Sequence, residues 1–317
     1  MHRFGGWGPS WPWVVAVVVA LTSAGPARAA RIVAWGGTTG PKAPAGDDFV
    51  AAAGGFQFVL GLKSDGSLAG MHDGHGGWGK YTVPAGHDFA KIACGDSLSL
   101  ALKSDGSLFE WYPDGTRLTV PSGNDYTAIA AGGAHSLARR SDGSLVGWGD
   151  NQDGQVDVPA GTGYAAVATG RSHSVAIRSD GSLVDWGNNT YGQRDVPAGQ
   201  DFVAVAAGGM HGLALRSDGS LVGWGYNEFG QANTPAGQDY VAIAAGLYSS
   251  VALRSDGTLV GWGPPSENWA NVPPGSGYSA VIGTAQYAIA LVPEPGLLSL
   301  MAAGGLLLAR RCKPAAG

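Results

Sequence analysis

Residues 240–263 read YVAIAAGLYSSVALRSDGTLVGWG, and this stretch decides the fold. Apolar residues alternate or run in short stretches bounded by glycine, as strands do. Three strands are expected: Tyr240–Gly246, Ser250–Leu253 and Thr258–Trp262. Asp256-Gly257 joins the second to the third, a strong hairpin signal because both central residues can take positive φ. A weaker fourth strand is expected from the following Gly-Gln into Val-Pro, where proline suits a sheet edge.

Outward from this copy, the same phrase recurs along nearly the whole chain. Its proline falls at Pro44, Pro84, Pro121, Pro159, Pro197, Pro235 and Pro273, in steps of 40, 37, 38, 38, 38 and 38 residues. A fixed period in this range means one supersecondary unit packed on its own copies. Four short strands per period describe a propeller blade. The two ends favour a ring over a linear stack. Ile32-Val-Ala-Trp-Gly36 is a third strand without its beginning, and Tyr278–Leu291 holds two strands without their third. Each half alone would expose an unpaired sheet edge. Together they make one blade, so the expected fold is all-β: a seven-bladed propeller closed by pairing N-terminal and C-terminal half-blades. The Ala-Ala-Gly strand is expected innermost, where crowding favours small side chains.

The repeat occupies residues 30–292, with a processing segment expected on either side. Residues 1–29 have the form of a signal peptide: Arg3, an apolar Val14–Leu21, then Ala27-Arg28-Ala29. Residues 293–317 begin Pro293-Glu294-Pro295, continue through fourteen mostly apolar residues, and end in Arg310-Arg311-Cys312-Lys313. That apolar run is shorter than the roughly 20 residues of a spanning helix. The order resembles the PEP-CTERM sorting tail of Gram-negative bacteria. The resemblance implies an exosortase-type processing enzyme, only transient membrane contact through the tail, and release or attachment at the cell surface.

The full chain carries a net charge of −5. Loss of both ends would remove five of 19 basic residues and one of 24 acidic ones, leaving 14 against 23 and a net of −9. That sign opposes binding to nucleic acid phosphates. Of the two cysteines, Cys312 lies in the tail and Cys94 replaces a small residue of the repeat, so it reads as a buried thiol outside any disulfide framework.

The phrase A-A-G-x-x-H-S-x-A-L, then D-G, then W-G-x-N-x-x-G-Q resembles the regulator of chromosome condensation repeat, over about residues 36–291. In the brevity of its copies the chain is most similar to secreted propellers that inhibit β-lactamases. The resemblance implies a seven-bladed propeller and leaves the partner open.

Tracing the chain around a blade puts the Ser-Asp-Gly turns and Pro-Ala-Gly links on one face, which hardly varies. The turns after the Ala-Ala-Gly strand and the loops after Trp-Gly share the other face, where the copies differ. Phe56, Trp78, Tyr112, Arg171, Tyr191, Tyr226, Phe229, Leu247, Tyr248 and Trp269 stand at these varying addresses. Trp, Tyr, Phe and Arg are the composition of interaction hot spots. The bland alternative is that some fold over to cover the gaps between blades. His135, His173 and His211 share one column, but other copies carry Phe58, Leu98, Ser249 and Tyr287 there, so a structural hydrogen-bonding role is expected over a metal site. Asn151, Asn189 and Asn227 are expected to bond their own loop backbone. No cofactor or metal is expected.

The sequence therefore predicts an exported, monomeric, non-enzymatic propeller binding another protein or a surface polysaccharide through the aromatic face. An enzyme with its site at the axial mouth is the alternative. A guanine-nucleotide exchange factor fits less well, given the export signals and acidic charge.

Overall fold

A computed structural model describes residues 30–36, 43–72, 81–264, 271–284 and 287–293. The two processing segments lie outside these residues, apart from Pro293, and so do Trp78 and Trp269. Every regular element described is a strand. Five three-stranded antiparallel sheets follow one another: β5 (Phe89–Cys94), β6 (Ser99–Lys103) and β7 (Leu108–Trp111); β8 (Tyr126–Ala131), β9 (His135–Arg140) and β10 (Leu145–Gly149); β11 (Tyr164–Thr169), β12 (His173–Arg178) and β13 (Leu183–Gly187); β14 (Phe202–Ala207), β15 (His211–Arg216) and β16 (Leu221–Gly225); β17 (Tyr240–Ala245), β18 (Ser250–Arg254) and β19 (Leu259–Trp262).

The remaining strands are β1 (Ala30–Trp35), β2 (Phe49–Gly54), β3 (Phe58–Lys63), β4 (Leu68–His72), β20 (Ala280–Gly283) and β21 (Ala288–Pro293). They form a six-stranded sheet in the order β20-β21-β1-β2-β3-β4. β1 pairs with β21 along its whole length, from Ala30↔Pro293 to Trp35↔Ala288, but meets β2 only at Ala30↔Phe49. The strand thus continues one residue past the repeat boundary read from sequence. The Tyr287 hydroxyl donates to the Phe58 carbonyl at 2.6 Å, a second tie between the chain's two ends.

Among the described residues the expected fourth strand does not form, which corrects the sequence reading. Asn151 draws the chain after β10 into a turn by accepting from the Val156 amide at 3.0 Å, and Pro159 has no amide to give a ladder. The segment instead lies flat on the glycine of the third strand. A Cβ on Gly147 would stand 2.8 Å from the Val156 Cβ, and one on Gly223 would stand 2.4 Å from the Ala232 carbonyl. The hairpins also differ from expectation. The Gly66 amide bonds the Lys63 carbonyl at 3.0 Å and Gly66 takes φ +80°, giving a three-residue loop with glycine in the left-handed position rather than a two-residue turn.

The core lies between sheets, as apolar residues on both faces of each strand require. Ala168, Val175 and Ile177 pack on Phe202, Val205 and Trp224; Ala53, Leu60 and Leu62 pack on Phe89, Ile92 and Trp111. A comparable cluster joins Ile282, Ile289 and Leu291 to Ile32, Phe49 and Val59. The Ala-rich first strands of neighbouring sheets touch one another, β2 to β5, β5 to β8, and onward to β17, β20 and back to β2. Small side chains permit that approach. A Cβ on Gly95 would stand 2.1 Å from the Gly132 carbonyl of the next sheet.

Candidate functional site

Hydrogen bonds fix which loops share a face. The loop after each Trp-Gly starts on the turn after the first strand: the Asp150 amide donates to Ala134, Asn188 to Ser172 and Tyr226 to Met210, each at 2.9 Å. On the opposite face, the amide of each new first strand bonds the Ser-Asp-Gly turn of the preceding sheet, as Tyr126 does Gly106 and Phe202 does Gly181, both at 3.2 Å. That face is a repeated clamp. Asp65, Asp105, Asp142, Asp180 and Asp218 each accept from the serine two residues on, which holds their carboxyls below the usual range. Arg140 and Arg216 pair with Asp125 and Asp201 while lying over the rings of Tyr126 and Phe202.

The variable face carries an aromatic cluster. Tyr191, in the loop after β13, meets Tyr226, in the loop after β16, edge-on with centroids 5.2 Å apart. Tyr226 meets Phe229 at 5.9 Å and Tyr248 at 6.1 Å, and Phe229 meets Tyr248 at 5.4 Å. Tyr191 is 49% exposed and Phe229 45%. The Tyr226 hydroxyl donates to Glu228 at 2.8 Å, and this bond to a carboxylate pushes the phenol up to about 12. Four rings from three consecutive sheets therefore make one patch with a carboxylate at its edge.

The other sequence-predicted residues lie elsewhere. Tyr112 is exposed in the loop after β7. Leu247 is buried at the inner turn, within 2.5 Å of where a Cβ on Gly209 would lie. Phe56 and Arg171 are half-buried in inner turns, their amides bonded to Asp96 and Gly209 of the next sheet. Four of the described aromatics, Tyr191, Tyr226, Phe229 and Tyr248, thus gather on one sector, while Tyr112 and Phe56 stand apart from it.

The histidine column is structural. His135 Nε2 lies 3.0 Å from Ser174 Oγ of the next sheet, and Ser174 Oγ donates to the Gln155 carbonyl at 2.8 Å. His211, Ser250 and Gln231 repeat the arrangement at 3.0 and 2.8 Å. With the serine proton committed to the carbonyl, the imidazole must donate through Nε2–H. Trp186 and Trp262 donate to the same two Gln carbonyls at 2.8 Å. Burial pushes His135 down to about 4 and His173 and His211 to about 3, so all three are neutral. At His173 the serine is replaced by Gly212, the Trp224 ring fills the space, and neither ring nitrogen finds a partner. Asn151, Asn189 and Asn227 accept from Val156, Arg194 and Ala232, the expected loop-closing bonds. Cys94 is fully buried, its thiol pushed up to about 12.

Sequence reasoning missed Glu110. It occupies the glycine address of the third strand, filled by Gly147, Gly223 and Gly261 in other copies, and that break in the phrase was the available signal. The loop of its copy lacks Gly-Gln, and the Glu110 carboxylate takes over the Gln carbonyl's work, accepting from Ser136 Oγ at 2.5 Å and Trp148 Nε1 at 2.8 Å.

The sequence profile described as "Regulator of chromosome condensation (RCC1) repeat" matches residues 126–155, 164–193, 202–231 and 240–266. No curated protein matches the chain significantly. Among solved structures, Prp20p of Saccharomyces cerevisiae, described with its binding to Gsp1p and histones, is 18% identical with a TM-score of 0.69, over 89% of this chain and 95% of that one. Human WBSCR16 is 18% identical with a TM-score of 0.68, over 84% and 100%. The ectodomain of the Physcomitrella patens receptor kinase CR4 is 20% identical with a TM-score of 0.60, over 74% of each. These likenesses show an RCC1-like propeller fold built from three-stranded blades.

Proposed function

We propose that this chain is an exported seven-bladed propeller that binds another protein through the aromatic patch of its variable face. The six-stranded sheet is read as two blades that touch at one residue pair, one of them assembled from β20, β21 and β1; that gives seven. The observation that carries the binding role is the contiguous cluster of Tyr191, Tyr226, Phe229 and Tyr248, with two rings nearly half exposed. Rigid aromatic side chains bury large area at small entropic cost, and the blades' own cores do not need them there. The solved relative Prp20p is described as a protein binder, which agrees with this reading. A surface polysaccharide could stack on the same rings. Export rests on the residues of 1–29 and 293–317, and a catalytic role has no support in the patch.

The test replaces Tyr191 and Phe229 with alanine and compares pull-downs from the native envelope or medium. The partner captured by the native protein should be lost from this variant and kept by Asp180→Ala/Asp218→Ala on the opposite face. The reverse pattern would reject the face assignment.

A further inference from the structure

Beside Glu110, between the β5–β7 and β8–β10 sheets, lies a cavity of about 210 Å³ opening to the variable face. Its lining includes Leu98, Glu110, Tyr112, Leu118, His135 and Trp148. Tyr112 is 39% exposed at the mouth, while Glu110 is 2% exposed inside. His135 is held neutral and Trp148 supplies an indole, so the carboxylate is the only formal charge in the lining.

Two acids occupy the repeat's glycine address, and they are treated differently. Asp185 has a cation from its own loop, Arg194, at 3.2 Å. Among the described residues, the Glu110 carboxylate accepts from two neutral donors, Ser136 and Trp148. The arginine of its loop, Arg117, lies over the Phe109 ring at 4.7 Å instead. Its two oxygens divide these donors, Oε1 taking Ser136 and Oε2 taking Trp148, where a Gln side chain would keep one acceptor oxygen and no charge. A carboxylate taken out of water normally has a cation partner, because desolvation costs several kcal/mol. Burial raises the Glu110 pKa, opposed by the bonds from Ser136 and Trp148, and a cation beside the carboxylate would lower it again.

We infer that the Glu110 cavity binds one organic cation, an ammonium or guanidinium head group, with its charge on the Glu110 carboxylate and its stem against Tyr112 and Trp148. The volume of about 210 Å³ accommodates such a head group with a short stem. Aromatic walls beside a carboxylate are the chemistry that recognises cations. The cation could be a free amine or a Lys or Arg side chain of a docked protein. The cavity is built from other sheets than the Tyr191–Phe229 patch, so this inference and the proposed function fail separately.

The full chain, labelled with ¹⁵N, should be titrated with n-butylammonium and ethylguanidinium, with acetyl-Gly-Lys-Gly-amide and acetyl-Gly-Arg-Gly-amide, and with n-butanol as the neutral control. The Trp148 indole N–H resonance should shift saturably with the cations and not with butanol. Glu110→Gln, which keeps an acceptor for Trp148, should weaken binding at least about tenfold. Tyr112→Ala, at the exposed mouth, serves as a second variant and should weaken it too. Binding by free cations alone makes a small amine the ligand; binding by the peptides alone makes it a partner's side chain. No saturable shift up to roughly 100 mM with any cation, or equal binding by Glu110→Gln, would overturn the inference.

Discussion

At the scale of the residue, one column of histidines separates a bond from a burial cost. His135 and His211 each donate to a serine of the next sheet, whereas His173 faces Gly212 and has no partner. His135→Leu should cost about 1 kcal/mol in denaturant unfolding at pH 7, the worth of a buried hydrogen bond. His173→Leu should be neutral or stabilising, since Leu98 already fills this address in another copy. Supplying the missing serine should not help. Gly212→Ser would place a Cβ 2.2 Å from the Trp224 ring, and overpacking of that kind costs about 1–3 kcal/mol. The column also sets a pH dependence. Folded values near 4, 3 and 3 lie below the ordinary 6.5, so the unfolded chain binds the extra protons. Their contribution is full above pH 6.5 and is lost progressively as pH falls toward 4. Thermal midpoints measured from pH 7 to 4 should fall, and less steeply in His135→Leu. The column was legible as structural in the sequence because it alternates with Phe, Leu, Ser and Tyr. Its broken link at Gly212 was not, because pairing across sheets joins residues 39 positions apart.

At the scale of the element, the turns matter as much as the strands. The first strands β2, β5, β8, β11, β14 and β17 each slip register after their opening aromatic, as between Tyr164 and Ala166 or Phe202 and Ala204, which adds the local twist of a bulge; β20 pairs with β21 without a slip. The Ser-Asp-Gly turn then locks one sheet to the next. Gly181 combines φ +82° with a carbonyl, that of Gln200, 2.2 Å from where a Cβ would lie. Gly161 has φ +132° but open space around it. Gly181→Ala should therefore destabilise by more than Gly161→Ala, and by more than about 1 kcal/mol, in urea unfolding. The three strands of each copy could be read from alternation and from Asp-Gly. The fourth segment misled because Val156-Asp-Val-Pro159 alternates like a strand; the turn made by the asparagine five residues before Val156 was expected, but not that it would keep the following residues out of the ladder. The aromatic addresses were legible for the same reason as the strands. The contact among four of them was not, because spacing gives a residue's sheet and face but not the direction of its side chain.

At the scale of the whole molecule, β1 and β21 are the joint between the chain's two ends. Arg31 and Val292 are direct antiparallel partners, so their Cα atoms lie within the span a disulfide bridges. In a Cys312→Ser background, Arg31→Cys/Val292→Cys should form an intramolecular disulfide under mild oxidation, seen as a mobility shift in non-reducing electrophoresis, and should raise the thermal midpoint. Failure to cross-link in the native state would mean the two ends are not held together in solution. Buried Cys94, with its thiol held protonated, should not compete.

The bonds from each Ser-Asp-Gly turn to the following first strand all run one way, from a later amide to an earlier carbonyl. A growing chain would meet them in order, each completed turn presenting an acceptor to the strand synthesised next. β1 is the exception, because its full-length partner is β21. Of the described strands, β1 thus waits longest for its full-length partner, since β21 follows all the others along the chain. Until β21 is made, β1 should therefore behave as an open edge, added to the outer edges that the sheets keep in the finished fold.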